Sequence, residues 1–379
     1  MARQGQWGFA GYRSALQPGL GPIRAPIYLP CDPSRVLWGR LPCAADRPVL
    51  TIDPGAEVTI DTLSHEGLLE DQGRDPAAYF GARGVERGSV LDDGVALAAS
   101  DRAHDPACDG PHVVTGPIFV RGAEPRDLLA MTVIETLPRV PYGVISNRHG
   151  RGALPGEYPD SDETVSVFAG VEVVHDRCGL DGVDGVVMGT LPRVAGAEHT
   201  VRFPLAPFLG IMGVAVVGEV RPHSVPPGPH GGNIDINLLT EGTTLYLPVQ
   251  VPGALAYVGD PHFAQGDGEV ALTAMEGSLR VTLRFDLVPA DDALAAFGEL
   301  AGPVAETSEF LVPTGMDPDL DVAVHNCVRA AIGLLRARYG MDAPHAYAYL
   351  SAATDFNISQ VVDLVKGVHA RIRTADFRG

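Results

Sequence analysis

Glycine and proline constrain this chain more than any motif does. They supply 45 and 32 of its 379 residues, about a fifth of the chain, against roughly 12 per cent in average proteins. Each interior proline removes a helical hydrogen bond, and each interior glycine weakens a helix through its backbone entropy. A helical bundle is therefore excluded, and a fold of short strands and many turns is expected. Apolar residues make up 45% of the chain, enough for a true core, which excludes a disordered protein.

The patterning places these strands. Residues 1–48, rich in Gly, Pro and Arg, read as an N-terminal arm and a possible oligomer contact. Strand-like alternation begins at Val49–Ile52 and Ala56–Ile60 and returns at Ile118–Val120 and Leu128–Glu135. Further apolar strand patterns cover Ile211–Val220, Thr244–Val249, Ala254–Val258 and Leu279–Leu287. Residues 66–111 show many Asp, Gly and Arg and little periodicity, and read as a long surface excursion. Helical spacing appears only late, over Asp319–Tyr339 and again over Ile358–Val368. The fold class is mainly β, a β-sandwich-like body, with a smaller α/β C-terminal portion. The organisation expected is an arm over 1–48, a β-rich catalytic body over 49–300 and a C-terminal portion over 301–379 that completes the fold.

Charge and composition remove whole classes of function. The formal net charge is −19 and no basic run occurs, so no nucleic acid and no anionic membrane is expected as a partner. No apolar stretch approaches the ~18 residues of a membrane span, and the N-terminus has no signal-peptide core, so a cytoplasmic protein is expected. Five scattered cysteines fit reduced thiols better than a disulfide framework, and Cys178 lacks a persuasive partner for a nucleophilic role. A single lysine, Lys366, occurs among 28 basic residues. That excludes a GxxxxGK[ST] phosphate loop and leaves lysine-dependent amidase chemistry with one residue near the C-terminus. The chain also lacks GxSxG, HExxH and a GxGxxG after a strand.

The candidate chemistry gathers in three clusters. The densest runs from His230-Gly231-Gly232-Asn233-Ile234-Asp235 to Asp260-Pro261-His262 and Gln265-Gly266-Asp267-Gly268-Glu269. Carboxylates and imidazoles set among glycines suit a divalent ion, because glycine allows close backbone approach; a pair of Asp/Gly-rich β-turns would look much the same. A second cluster is Ser64-His65-Glu66-Gly67 at the end of a strand. A third is Pro111-His112-Val113 followed, one hairpin later, by Gly122-Ala123-Glu124-Pro125.

Together these clusters resemble the acetamidase/formamidase family. The resemblance rests on His230–Asp235, Leu245-Tyr246-Leu247-Pro248-Val249, Gly253-Ala254-Leu255, Gly259-Asp260-Pro261-His262 and Gln265–Glu269, with Thr115-Gly116-Pro117-Ile118 and Gly122–Pro125 upstream. It runs in the same order from about Val49 to Phe377. It implies a homo-oligomeric amidohydrolase that splits small amides such as formamide or acetamide, with a divalent metal, zinc being expected. Under that resemblance His65, His112, Asp235 and His262 are the metal set, with Asp260 or Asp267 as alternatives to Asp235. Glu124 is the first choice for general acid–base and Glu269 the second, while Asn233 and the Gly231-Gly232 amides serve the oxyanion. Gln265 and Asp267 orient the ligands. Where many family members carry an Asp in a Gly-rich turn, this chain has Ser64-His65-Glu66-Gly67, so the ligand there is His65 or Glu66. The N-terminal arm and the excursion over 70–106 depart from the common pattern, which leaves open a cyclic or larger amide, as for a γ-lactamase. A non-catalytic protein that binds small amides is the rival of a different class.

Overall fold

The computed structural model describes residues 15–174, 186–197 and 200–378, so Cys178 and residues 1–14 of the expected arm lie outside the described residues. Among those described, two large sheets carry the fold. The nine-stranded sheet runs in the order Ile27–Leu29, Ala56–Asp61, Leu279–Val288, Leu128–Pro138, Thr244–Pro248, Val304–Glu306, Phe310–Asp317, Lys366–Arg373 and Asp355–Gln360. The eleven-stranded sheet has as its central member Ala256–Ala264. Their inner faces meet in one core: Val58, Ile60, Val281, Leu283 and Phe285 from the first sheet pack in the same cluster as Ile118, Val120, Phe208, Met212, Val258 and Phe263 from the second. This is the mainly β, sandwich-like body expected of so much glycine and proline.

Strand Leu279–Val288 shows why its alternation is so clean. Val281, Leu283 and Phe285 enter the core, whereas Arg280 and Thr282 sit on the opposite face. That face is also buried, and two arginines are the reason. Arg280 Nε donates to Asp61 Oδ1 at 2.6 Å, and its terminal nitrogens donate to the carbonyls of Gln17, Leu20 and Pro22 at 3.1, 2.7 and 3.0 Å. Arg139 donates to both oxygens of Asp93 at 2.8 and 3.1 Å, to Leu16 O at 3.0 Å and to Thr62 O at 3.1 Å. A guanidinium offers five donors in a planar fork, which lysine cannot match. The two arginines thus bind residues 16–22 and the helix Asp92–Ala98 to the sheet.

The C-terminal region continues the first sheet and adds the longest helix, Leu320–Tyr339. The Asp319 carboxylate caps it by accepting from the amides of Asp321 and Val322, and Gly340 ends it at φ +64°. The helix lies on strand Phe310–Asp317 so closely that a Cβ on Gly315 would fall on the backbone of Cys327 and Ala323.

Three local expectations fail, the first being the strand expected over Ile211–Val220, which instead spans Phe208–Gly213. Ile358–Val368 is not helical; it belongs to a hairpin of Asp355–Gln360 and Lys366–Arg373. Ile358, Val361, Val362 and Val365 have helical spacing but are all β-branched, and pairing with Phe310–Asp317 decides the outcome. Nor is 66–111 a surface excursion. It holds the short helices Pro76–Gly81 and Asp92–Ala98 and buries Leu68, Phe80, Leu91 and Leu97 in the main core.

Substituting Gly315→Ala is expected to cost at least about 3 kcal/mol in urea unfolding, because backbone rather than a mobile side chain blocks the methyl. In the same experiment Gly333→Ala, in the helix with open space around it, is expected to gain about 0.5–1 kcal/mol. Equal effects at the two positions would contradict this account of the helix–sheet contact.

Candidate active site

The site forms where one strand divides its partners. Along one edge Ala256–Ala264 has a single partner, Phe208–Gly213, in register from Tyr257 to His262 with Asp260 skipped. Its other edge is split: Ala256, Val258 and Gly259 pair with Val113–Val120, whereas His262 and Ala264 pair with Met275–Glu276. Between the two partners Asp260 takes a left-handed φ of +50°, which turns the strand and opens a fork. His112 stands immediately before strand Val113–Val120, and Glu276 faces His262 across the other arm. His65 and Glu66 arrive from the turn after strand Ala56–Asp61, and Asp235 follows strand Gly231–Asn233.

Every one of these side chains is buried, as are Asn233 and Glu269. His262 Nε2 lies 3.0 Å from Asp260 Oδ2 and 3.2 Å from Glu276 Oε1. His65 approaches Glu66 at 3.4 Å, Asp260 at 3.6 Å and Glu276 at 4.0 Å. His112 Nε2 is 3.7 Å from Asp260 Oδ1, and its Nδ1 is fixed by the Ser224 hydroxyl at 2.9 Å. Gly210, on the neighbouring strand, completes the wall. A Cβ there would stand 2.5 Å from Asp235 Oδ1, 2.7 Å from Asp260 Oδ2 and 2.7 Å from His262 Cε1, so the strand must be bare at this point.

The electrostatics of this cluster are out of balance. Asp235, Asp260, Glu269, Glu276, Glu66 and Asp363 are buried together with three histidines, and Arg148 reaches only Glu66, at 3.9 Å. Burial pushes Glu276 and Asp363 up to about 7, and burial with neighbouring carboxylates raises Asp235 and Glu269 well above the usual range. Burial opposes the charge on His65, but Asp260 and Glu66 outweigh it and lift the imidazole to about 10. His112, where burial prevails, is lowered to about 4. Asp260 goes the other way: against its burial, His112 and His262 hold it well below the usual carboxylate range.

Buried polar atoms without partners cost about 1–3 kcal/mol each, and they concentrate here. Neither nitrogen of His65 has a hydrogen-bond partner, and neither do both oxygens of Asp235, Asp260 Oδ1, His262 Nδ1, Glu269 Oε2 and Glu276 Oε2. Three sets of donors converge closely enough to hold a metal ion: His65, His112 and Asp260; Asp235, His262 and Glu269; and Asp260, His262 and Glu276. Asp260 and His262 each belong to two of them. Imidazole and carboxylate donors, unpaired and surrounded by excess negative charge, fit a divalent cation.

The four expected ligands are thus all near the fork but divide between two sets, with Asp260 joining them. Glu269 is in the cluster. Asn233 lies on the adjoining strand, in register with Ile211. Gln265 Nε2 donates to the carbonyl of Asp235 at 2.9 Å, while Asp267 is engaged by Asn237, Asn357 and Arg371 at 3.0, 2.7 and 2.8 Å. Glu124 is the exception. It sits on the exposed turn after strand Val113–Val120, and that eight-residue strand separates it by roughly 25 Å from His112 at the other end. The fold therefore does not bring Glu124 to the cluster. Glu276 and Asp363 escape the sequence reading. Glu276 belongs to a two-residue strand, too short for a pattern. Asp363 lies in the hairpin loop held by Gln360 Oε1, which accepts from the amides of Val362 and Asp363 at 3.0 and 3.1 Å.

Comparison with known proteins bears on this geometry. The model of the acetamidase/formamidase family matches residues 216–373. The chain is 29% identical over 239 residues to the acetamidase of Mycolicibacterium smegmatis, covering 51% of this chain and 57% of that one. It is 27% identical over 303 residues to the formamidase of Methylophilus methylotrophus, covering 67% and 74%. The crystal structure of the acetamidase from Bacillus halodurans superposes with a TM-score of 0.68 at 24% identity over 93% of this chain and 98% of that one. A γ-lactamase from Delftia acidovorans shares the fold at a TM-score of 0.51 and 22% identity, covering 92% and 90%.

Gly210→Ala places a methyl group among the donor atoms. It is expected to retain the strand signature in circular dichroism and to lower the divalent metal retained after dialysis against zinc at least tenfold. A full complement of metal in this variant would show that the cluster is not the binding site.

Proposed function

We propose that this chain is an amidohydrolase of the acetamidase/formamidase family, whose model matches residues 216–373, cleaving the C–N bond of small linear amides to a carboxylate and ammonia. The observation that carries this reading is the fork itself: three convergent sets of unpaired imidazole and carboxylate donors, in a chain whose relatives are named acetamidase and formamidase. A catalytically silent binder has no need of so many buried, unpaired acids beside a metal-ligating cluster.

Amide hydrolysis needs an activated water, a counter-charge for the carbonyl oxygen and a proton for the leaving nitrogen. His65, His112 and Asp260, with Asp235 and His262 in the neighbouring sets, would hold a divalent cation, zinc in our reading, which would supply Lewis acidity toward the carbonyl and toward water. Glu269 takes the general acid–base role that an exposed Glu124 cannot fill. As a carboxylate it takes a proton from the attacking water, and the acid so formed, which its burial favours, delivers that proton to the leaving nitrogen. Glu276 steadies His262 through its Oε1, 3.2 Å from the imidazole Nε2. Gln265 holds the backbone of Asp235, and Asn233 offers its amide to the carbonyl oxygen. The free thiols of Cys31, Cys43, Cys108 and Cys327 support a reducing, cytoplasmic setting. Among the described residues no helix is long and apolar enough to cross a membrane. A homo-oligomer remains part of this proposal.

Ammonia release from formamide, acetamide and propionamide, before and after metal stripping, tests the reading. Turnover is expected to vanish on stripping and to return with Zn²⁺; turnover indifferent to stripping would exclude the metal set. Glu269→Gln is expected to lower kcat by about 10²–10⁴-fold, whereas Glu124→Gln stays within about twofold of the parent. Equal losses in both variants would reject this assignment of the acid–base role.

A further inference from the structure

His65 and Glu66 leave the same turn side by side, but the fold treats them differently. His65 joins His112 and Asp260 in one convergent donor set, whereas Glu66 belongs to none of the three. The two oxygens of the Glu66 carboxylate are also unlike. Oε2 accepts from the Ser146 hydroxyl at 2.8 Å and from the side-chain amide of Gln72. Oε1 is buried without a hydrogen-bond partner. It faces His65 Nε2 at 3.4 Å and, farther off, Arg148 at 3.9 Å. On the other side of the ring, His65 Nδ1 lies 3.6 Å from Asp260 Oδ1 and 4.0 Å from Glu276 Oε2.

The turn holds this carboxylate in place. Gln72 Oε1 accepts from the amide of Gly67 at 2.6 Å, which leaves the Gln72 NH2 group for Glu66. That NH2 also reaches the hydroxyls of Tyr79 and Ser166, at 3.2 and 3.3 Å. Ser146 is fixed in turn, its amide donating to Thr273 Oγ1 at 2.8 Å. A buried carboxylate oxygen without a donor costs free energy unless a proton-bearing group faces it, and His65 Nε2 is the nearer of the two groups that do. An imidazole that ligates carries one N–H and one lone pair, and the hydrogen bond made by one nitrogen decides which the other presents. A proton on Nε2, toward Glu66, therefore leaves the lone pair on Nδ1, toward Asp260.

We propose that Glu66 is a positioning residue: it takes the Nε2 proton of His65 and so makes Nδ1 the nitrogen that His65 presents to the donor set. The proposal rests on the metal reading given above. His112 is held the opposite way round, with Nδ1 against the Ser224 hydroxyl and Nε2 toward the same Asp260 oxygen, at 3.7 Å. The two imidazoles thus offer unlike nitrogens to one carboxylate, each with its own backing group. Loss of such a backing group ordinarily costs about 10–100-fold in metal affinity.

Glu66→Gln tests this with an isostere. Ser146 and Gln72 both donate to Oε2, so the amide oxygen of the variant takes that place. Its NH2 then faces His65 Nε2 and, as a donor, drives the imidazole proton to Nδ1. The experiment measures zinc affinity, by competition with a chromophoric chelator, for the parent, Glu66→Gln, His65→Ala and the double variant. It also reads the His65 tautomer from long-range proton–nitrogen NMR correlations at saturating zinc, the His65 signals being those that His65→Ala lacks. The parent is expected to carry the proton on Nε2. Glu66→Gln is expected to move it to Nδ1 and to weaken zinc binding about 10–100-fold. In the His65→Ala background the same substitution is expected to change affinity less than about twofold, because its effect passes through the imidazole. A loss of about tenfold in both backgrounds would show that Glu66 acts on the cation without His65 and would overturn the proposal. A zinc-binding parent with the proton on Nδ1 would overturn the pairing and leave the metal reading intact. A parent that binds no zinc would overturn the metal reading, and the pairing with it.

Discussion

The fold turns on a strand that cannot keep one neighbour. Ala256–Ala264 has one partner, Phe208–Gly213, along one edge, but its other edge is shared between Val113–Val120 and Met275–Glu276. A continuous ladder would fill the space between them with backbone hydrogen bonds. Because the ladder breaks at Asp260, side chains occupy that space instead, and those available from adjoining segments are His112, His65 and Glu276. A glycine at 210 keeps the remaining wall flat. The concentration of acids and imidazoles is therefore a result of sheet topology, and its cost in unpaired polar atoms is borne by a core that is otherwise dense and apolar.

The buried arginines extend the same logic outward. Asp61 ends the strand that leads to His65, and it accepts from Tyr28 at 2.6 Å as well as from Arg280. Asp93 lies on the helix Asp92–Ala98, and Arg139 grips that aspartate from the main sheet. Burying a charge is tolerable only when it is paired and fully hydrogen-bonded, and here each guanidinium meets that condition with carbonyls of residues 16–22. The network anchors the turn that carries His65 and the helix Asp92–Ala98, so the donor cluster and the segment folded beside it share one foundation.

Much of this was legible in the residues and some was not, for physical reasons. Alternation located most strands because one face of each meets the core, and the long helix announced itself through apolar residues at helical spacing over Asp319–Tyr339. The stretch 66–111 hid its burial because its helices are one or two turns long, too short for a periodic signal. In Ile358–Val365 two patterns conflicted, spacing for helix and β-branching for strand, and a neighbouring strand settled the matter. Within the site, histidines and acids next to glycine-rich turns stood out. Glu276 and Asp363 did not, since each is a single acid whose importance comes only from what the fold places beside it. Glu124 misled for the opposite reason: it is close to His112 in sequence but a full strand away in space.

The fork also bears on the lifetime of the folded protein. Its members come from segments far apart, from His65 to Glu276 across 211 positions of the chain, and bringing distant segments together carries a cost in loop-closure entropy. The acids cannot face one another until both sheets are paired, so their mutual repulsion is a feature of the completed structure and acts to reopen it. A cation seated among them removes that repulsion only in the folded state, and by mass action it adds stability in proportion to the logarithm of its free concentration. Under the metal reading proposed above, the supply of metal around the protein would control how long each molecule survives, separately from how fast it turns over.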